Sequence, residues 1–386
     1  MNSNLLLATL LARSYHSDAA VEKIENLASQ DIDWNELTRL IQHHRISGLC
    51  LETLRKLNHP SVPAELIHTL QAECTQSTRN ALVLMNALHK LIGLIQSQGI
   101  EVACFKGVVA AQLIYGQLSM RNFSDIDLFV RPADHATTEH LLIENGFRIT
   151  NRYDDAYQSS LRDDQRRVNV DLHWGVPPHE LNLTSHLLWD NISTIDIGNQ
   201  AVPTFSFADT LLLTAVNAIK EYWDSHLYRF CDLAELIHRH PQPDWNAMFR
   251  RAEQLGCQRA LFAALIVSEK LLGAPIPRDV TNMLSNHHEL DPIVNELIRQ
   301  LEQSHLHSGD ESYRKPKVVN SHKHYFLLLQ DTVGRKLQFW LQWALTPGAA
   351  DRELISLPRR LSGLYYLVRP IRLLLQPNHQ ERNVRL

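Results

Sequence analysis

A chain of 386 residues, 44% hydrophobic and 21% charged, is long enough for two or three domains with packed cores, and its composition excludes a fibrous or disordered class. A formal net charge of −4 gives no whole-protein attraction for nucleic acid, although a local basic patch remains compatible with it. Cys50, Cys74, Cys104, Cys231 and Cys257 are odd in number and never spaced Cys-x-x-Cys, which excludes a disulfide framework and a zinc ribbon and suits a reducing cytosol.

In chain order, the apolar run Leu5 to Ala12 has no basic residue before it and ends at Arg13, so it reads as a first helix and not as a signal peptide. No run reaches the length of a membrane span. The pattern stays helical to about Thr75: Asp33 is a capping residue with Glu36 three positions on, Leu37, Leu40 and Ile41 follow at helical spacing, and Pro60 and Pro63 mark a break. His43-His44-Arg45 reads as a solvated helix end in preference to a metal cluster. A further amphipathic helix is expected from about Thr78 to Gln98, with Leu82, Met85, Leu88, Leu91, Ile92 and Ile95 on one stripe and Gly99 as its stop.

The stretch from Glu101 to Arg131 carries the chemistry. Glu101 to Phe105 is a short buried strand, Lys106-Gly107 a tight turn, and Val108 to Tyr115 a helix. A turn that opens a helix aims free backbone N–H groups at an anion, and Lys106 adds a point charge suited to phosphate. In the strand that follows Ser124, Asp125 and Asp127 share one face while Ile126, Leu128 and Val130 point into a core. Two adjacent carboxylates repel, and a hard divalent cation such as Mg²⁺, bound together with substrate phosphates, removes the repulsion. Farther on, Val168, Val170 and Leu172 alternate with Asn169, Asp171 and His173, so Asp171 is the candidate third carboxylate of a two-metal site and His173 shares its face.

Between these strands, Ala133 to Asn145 reads as a helix closed by Gly146, and Phe147 to Ile149 as a strand. The polar segment Asn151 to Arg167, with Arg152, Arg162, Arg166 and Arg167, reads as a solvated hairpin in preference to a substrate clamp. Beyond Pro203 the pattern turns all-helical, with Ser206 capping a run through Leu211, Leu212, Leu213 and Val216 and a continuation from Asp224 to Ile237. Pro275 to Pro277 and His305 to Pro316 read as loops, and His305/His307 and His322/His324 lack the partners that would complete a zinc set. From Tyr325 to Leu375 the plain reading is amphipathic helix with a kink at Pro370; Arg359, Arg360, Arg369 and Arg372 raise a sharper one, contact with an anionic membrane surface. The chain thus divides into a helical region over 1–75, a core over 76–205 and a helical domain over 206–386.

Phe105-Lys106-Gly107, Tyr115-Gly116, Arg121, Asp125-Ile126-Asp127-Leu128, Glu144-Asn145-Gly146-Phe147 and Asp171-Leu172-His173-Trp174 resemble the bacterial nucleotidyltransferase type 5 family of the DNA polymerase β-like superfamily. The resemblance implies an α/β (α+β) palm with a small mixed sheet, flanked by N-terminal and C-terminal all-helical regions. It also implies a cytoplasmic transferase that moves a nucleoside monophosphate from a nucleoside triphosphate to an acceptor hydroxyl and releases pyrophosphate. In that scheme Asp125, Asp127 and Asp171 hold two Mg²⁺ ions and do the catalysis, while Lys106, Gly107, Val108, Arg121, Ser124 and His173 bind nucleotide. The acceptor is open: small molecule, glycan, protein or RNA. Val108 stands where the superfamily usually has Ser or Gly, which removes a hydroxyl from the phosphate site and admits a catalytically silent nucleotide-binding or partner-binding scaffold; a toxin-like transferase acting on RNA is a third reading, which the acidic net charge disfavours. In the helix that the family places after residue 206, Lys220 and Arg229 are expected on a solvated surface in preference to nucleotide contact.

Overall fold

Alternation of apolar and polar residues decides the centre of the molecule. In a computed structural model of the chain, β1 (Val102–Phe105), β2 (Asp125–Val130), β3 (Arg148–Tyr153), β4 (Gln158–Asp163) and β5 (Val168–His173) form one mixed sheet in the order β1-β2-β5-β4-β3. β2 and β5 are parallel, and the other neighbours are antiparallel. The structure describes residues 3–30, 32–153, 157–240, 242–303, 319–346, 351, 354–355 and 363–375. Two compact units are present, 1–315 and 316–386.

In the first unit, Ile126, Leu128, Val130, Val168, Val170 and Leu172 leave one face of the sheet into a common core. Helix α5 (Ala64–Ser97) supplies Leu84, Leu88, Leu91, Ile92 and Ile95 to it, and α7 (His135–Glu144) supplies Leu142. Each such fully buried side chain contributes about 1.5–3 kcal/mol. The opposite face carries Asp125, Asp127 and Phe129 of β2, by the same period of two.

α5 runs unbroken for 34 residues, where the sequence suggested an interruption between Thr75 and Thr78. The polar run Thr75-Gln76-Ser77-Thr78 contains no Gly or Pro to stop the helix, and the hydroxyls of Thr75 and Thr78 are satisfied on the carbonyls of Gln71 and Cys74, one turn back. β4 is also not a solvated hairpin arm: it lies between β3 and β5, with Ser159, Leu161 and Asp163 buried. β6 (Ile192–Ile197) and β7 (Gln200–Phe205) form a separate hairpin that no sequence expectation covered, although its Gly198-Asn199 turn, with φ of 56° and 63°, is a standard two-residue hairpin signal.

Around this core stand α1 (Ser3–Leu11), α2 (Asp18–Ala28), α3 (Trp34–His43) and α4 (Ser47–Leu57) at the N-terminal end. After the sheet come α8 (Phe207–Ile219), α9 (Leu227–Arg239), α10 (Trp245–Leu255) and α11 (Gln258–Leu272). Ser206 caps α8 through the N–H of Asp209, as the sequence suggested. Gly48 of α4 presses against the turn at Leu118–Met120: a Cβ there would lie 2.7 Å from the Met120 Cα and 2.9 Å from the Ser119 carbonyl oxygen. Because backbone cannot step aside as a side chain can, Gly48→Ala is expected to destabilise by about 1–3 kcal/mol, read as a lower midpoint in urea.

The second unit contains helices at Val319–Leu328, Val333–Leu345 and Tyr365–Leu375, the last with Pro370 inside it. Arg369 and Arg372 are buried there against Asp351, at 3.0 and 2.5 Å, so half of the C-terminal basic cluster is spent internally. Arg359, Arg360, the loop at 305–316 and the His305/His307 pair lie outside the described residues, as does the side chain of His322. Among the described residues no helix is long and apolar enough to cross a membrane.

Candidate active site

Strand register builds the site. β1 sets Phe105 opposite Asp127, and β5 sets Asp171 opposite Asp127 with His173 one step along the same face. Ligand atoms of Asp127, Asp171 and His173 lie within 4.8 Å of one another. His173 Nε2 is 3.1 Å from Asp127 Oδ1, and the Lys106 ammonium is 3.3 Å from the same oxygen. The Ser160 hydroxyl, opposite Asp171 on β4, donates to Asp171 Oδ1 at 2.6 Å.

Asp125 and Asp127 differ in their electrostatics. Burial pushes Asp125 up to about 6, and repulsion from Asp127 and Asp171 adds to the effect. Burial also acts against the Asp127 anion, but Lys106 and His173 outweigh it and hold this carboxyl far below the usual range. His173 is 1% exposed, and burial lowers it, so the ring is neutral at pH 7 with its proton on Nε2, donated to Asp127. Lys106 is half-buried, and although desolvation opposes its charge, Asp127, then Asp125 and Asp171, hold it charged and above its ordinary value.

Lys106 occupies a backbone conformation that side-chain-bearing residues rarely adopt, φ 57° and ψ −152°. It opens a short helix, α6 (Gly107–Ala110), that continues as a wider turn through Ala111–Tyr115. Gly107 follows at φ 38°, and a Cβ on it would come within 3.1 Å of the Asp125 carbonyl oxygen, so the turn and the acidic strand are in close contact. Val108 is buried in the core.

Arg121 lines a small cavity together with Phe105 and Lys106, whereas Ser124 stands outside the cluster. Ser124 is exposed, and its carbonyl accepts from the Asn169 side chain. The buried Arg121 guanidinium is taken by Asp232 at 2.9 Å, and the Tyr115 hydroxyl donates to the other oxygen of Asp232 at 2.8 Å. Conversely, Lys220 is not on a solvated surface. It sits at the end of α8 with its side chain only 18% exposed, close enough to Lys106 and Asp127 to feel both. Burial, and then Lys106, lower it to about 8. Glu221 lies 3.4 Å from Lys220 and is bonded to Arg229; despite burial these two cations bring it down to about 2. Lys220, Glu221 and Arg229 thus form a charged wall beside the carboxylates. Its signal in the sequence was a lysine at a helix end, which burial alone distinguishes from a surface one.

Residues 30–273, more than half of the chain, match the family described as uncharacterised nucleotidyltransferase. No curated protein matches. Among solved structures, an antigenic nucleotidyltransferase-like protein from Paracoccidioides brasiliensis is similar at 17% identity and a TM-score of 0.32, over 57% of this chain and 94% of that one. A likeness that loose carries no argument about the site.

Proposed function

The chain belongs to the family of uncharacterised nucleotidyltransferases, and from that membership we propose that it transfers a nucleoside monophosphate from a nucleoside triphosphate to an acceptor hydroxyl, with pyrophosphate as the second product. The observation that carries this reading is the register of β2 on β5, which sets Asp127 beside Asp171 on a face where Asp125 is crowded by both. The donor set fits a hard divalent cation, because carboxylate oxygens are what Mg²⁺ takes when it also binds phosphate. Asp125, Asp127 and Asp171 would hold it, and when bound it would polarise the α-phosphate and neutralise charge on the leaving group.

The remaining work falls to the chain's own side chains. Lys106, which balances Asp127 in the structure, would turn to the phosphate oxygens. Lys220 would add a second cation there, and Glu221 keeps it within reach. His173 fixes the Asp127 carboxylate through its Nε2 proton. The acceptor oxygen would attack the α-phosphorus, its proton passing to Asp171, whose Oδ1 Ser160 holds, as the bond to the bridging oxygen breaks.

The test is calorimetric titration of each of the four nucleoside triphosphates with and without Mg²⁺, on the native chain and on Asp125→Asn/Asp127→Asn. One nucleotide is expected to bind only with Mg²⁺ and only to the native chain; equal binding by the double variant would remove the carboxylates from the site. Lys220→Met should separate binding from stability. A lysine whose folded value sits near 8, below its ordinary 10.5, destabilises the fold below about pH 8 and ceases to do so above about 10.5. The variant is therefore expected to melt higher than the native chain at pH 7, and at the same time to bind the triphosphate about tenfold or more weakly.

A further inference from the structure

Away from the carboxylates, the described residues bring a second set of ligating side chains together: His43 at the end of α3, His44 just after it, and His226 just before α9, with one ring nitrogen of each within 4.8 Å of the other two. His44 is fully buried, so this is not the solvated helix end that the sequence suggested. We propose that His43, His44 and His226, with Asp224, bind a zinc-class divalent ion that ties the segment carrying Lys220 and Glu221 to the N-terminal helices.

Both ring nitrogens of His226 have close neighbours. Its Nδ1 is 2.9 Å from the His43 carbonyl oxygen, which can only accept, so Nδ1 carries the proton. The other ring nitrogen, Nε2, faces Asp224 Oδ1 at 3.5 Å. An imidazole nitrogen and a carboxylate oxygen that face each other need a proton or a metal ion between them. The separation is close to the ~3.3 Å between neighbouring ligands of a tetrahedral ion with bonds of about 2.0–2.1 Å. The bond from Nδ1 to a peptide carbonyl is also the usual outer support of a metal-bound imidazole, because it fixes the ring and its tautomer.

The other ligands are at hand. The His43 ring centroid lies 5.0 Å from those of both His44 and His226. The Leu227 N–H is 3.4 Å from His44 Nδ1, a long bond that ligation through that atom would replace. Three imidazoles and one carboxylate form a nitrogen-rich set that selects zinc, cobalt or nickel over magnesium. The site spans two elements far apart in the chain, and Lys220 lies six residues before His226. An ion there would hold the charged wall of the carboxylate site in place without touching substrate.

The test uses the tag-free 386-residue chain stripped with a chelator and titrated with Co²⁺, whose tetrahedral complexes give intense visible bands. One equivalent is expected to produce those bands and Zn²⁺ to abolish them by displacement. The bands should survive Asp171→Asn and should disappear in both His226→Gln and His43→Gln, with Co²⁺ affinity at least about a hundredfold lower. His43 is only partly buried, so its variant carries the test should His226→Gln fail to fold. No bands in the native chain, bands retained in the histidine variants, or bands lost in Asp171→Asn would each overturn the assignment.

Discussion

Asn in place of Asp127 is expected to lower nucleotidyl transfer at least about a thousandfold, a loss of about 4 kcal/mol of transition-state stabilisation. The substitution removes a cation-binding oxygen and also the anion that Lys106 and His173 are arranged around. Its folded value is depressed, so its contribution to stability is present above the ordinary carboxylate range and is lost as pH falls into and below that range. Asp127→Asn should therefore melt below the native chain at pH 7. Asp171→Asn separates the two effects, because Asp171 is only partly buried and one of its oxygens is held by Ser160. It should lose transfer to a similar extent while melting close to the native chain. Single-turnover transfer beside thermal melts checks both, and native-level turnover in either variant would remove that carboxylate from the mechanism.

Arg121→Met is expected to destabilise the chain by about 3–5 kcal/mol, because it leaves Asp232 charged and buried with its guanidinium partner gone. In a chain of this size that lowers the melting midpoint by roughly 10 °C. The pair joins the turn before β2 to α9, and Tyr115 adds a second bond to the same carboxylate. Replacing both partners, Arg121→Met with Asp232→Leu, should recover part of the loss, since an apolar pair of similar volume carries no uncompensated charge. Equilibrium unfolding in urea of the two single variants and the double measures this directly. A single variant as stable as the native chain would mean that the pair is solvated in solution.

The acidic pair was legible because a period of two is local: Ile126, Leu128 and Val130 must enter a core, and Asp125 and Asp127 must then leave it. Asp171 was legible by the same alternation, but its place opposite Asp127 depends on a parallel pairing that the 43 intervening residues do not announce. The Asp232 partner of Arg121 was not legible, because an arginine's partner is invisible until α9 brings it near. His44 and Lys220 were misjudged for one reason: a charged or polar residue near a helix end reads as solvated, and only packing from a distant element buries it. The Gly198-Asn199 turn was a local signal that went unread.

Helix α5 has a mechanical consequence. At 1.5 Å per residue its 34 residues make a beam of about 50 Å. Leu66 and Leu70 near one end are buried, with α4 packed along the helix, and Leu84 to Ile95 near the other end lie under the five-stranded sheet. A single girder therefore joins the N-terminal helices to the sheet, and a hinge between them would have to buckle it. Any opening that admits an acceptor must be sought in shorter pieces, such as the 220–226 segment, while the girder carries strain from one end to the other without bending.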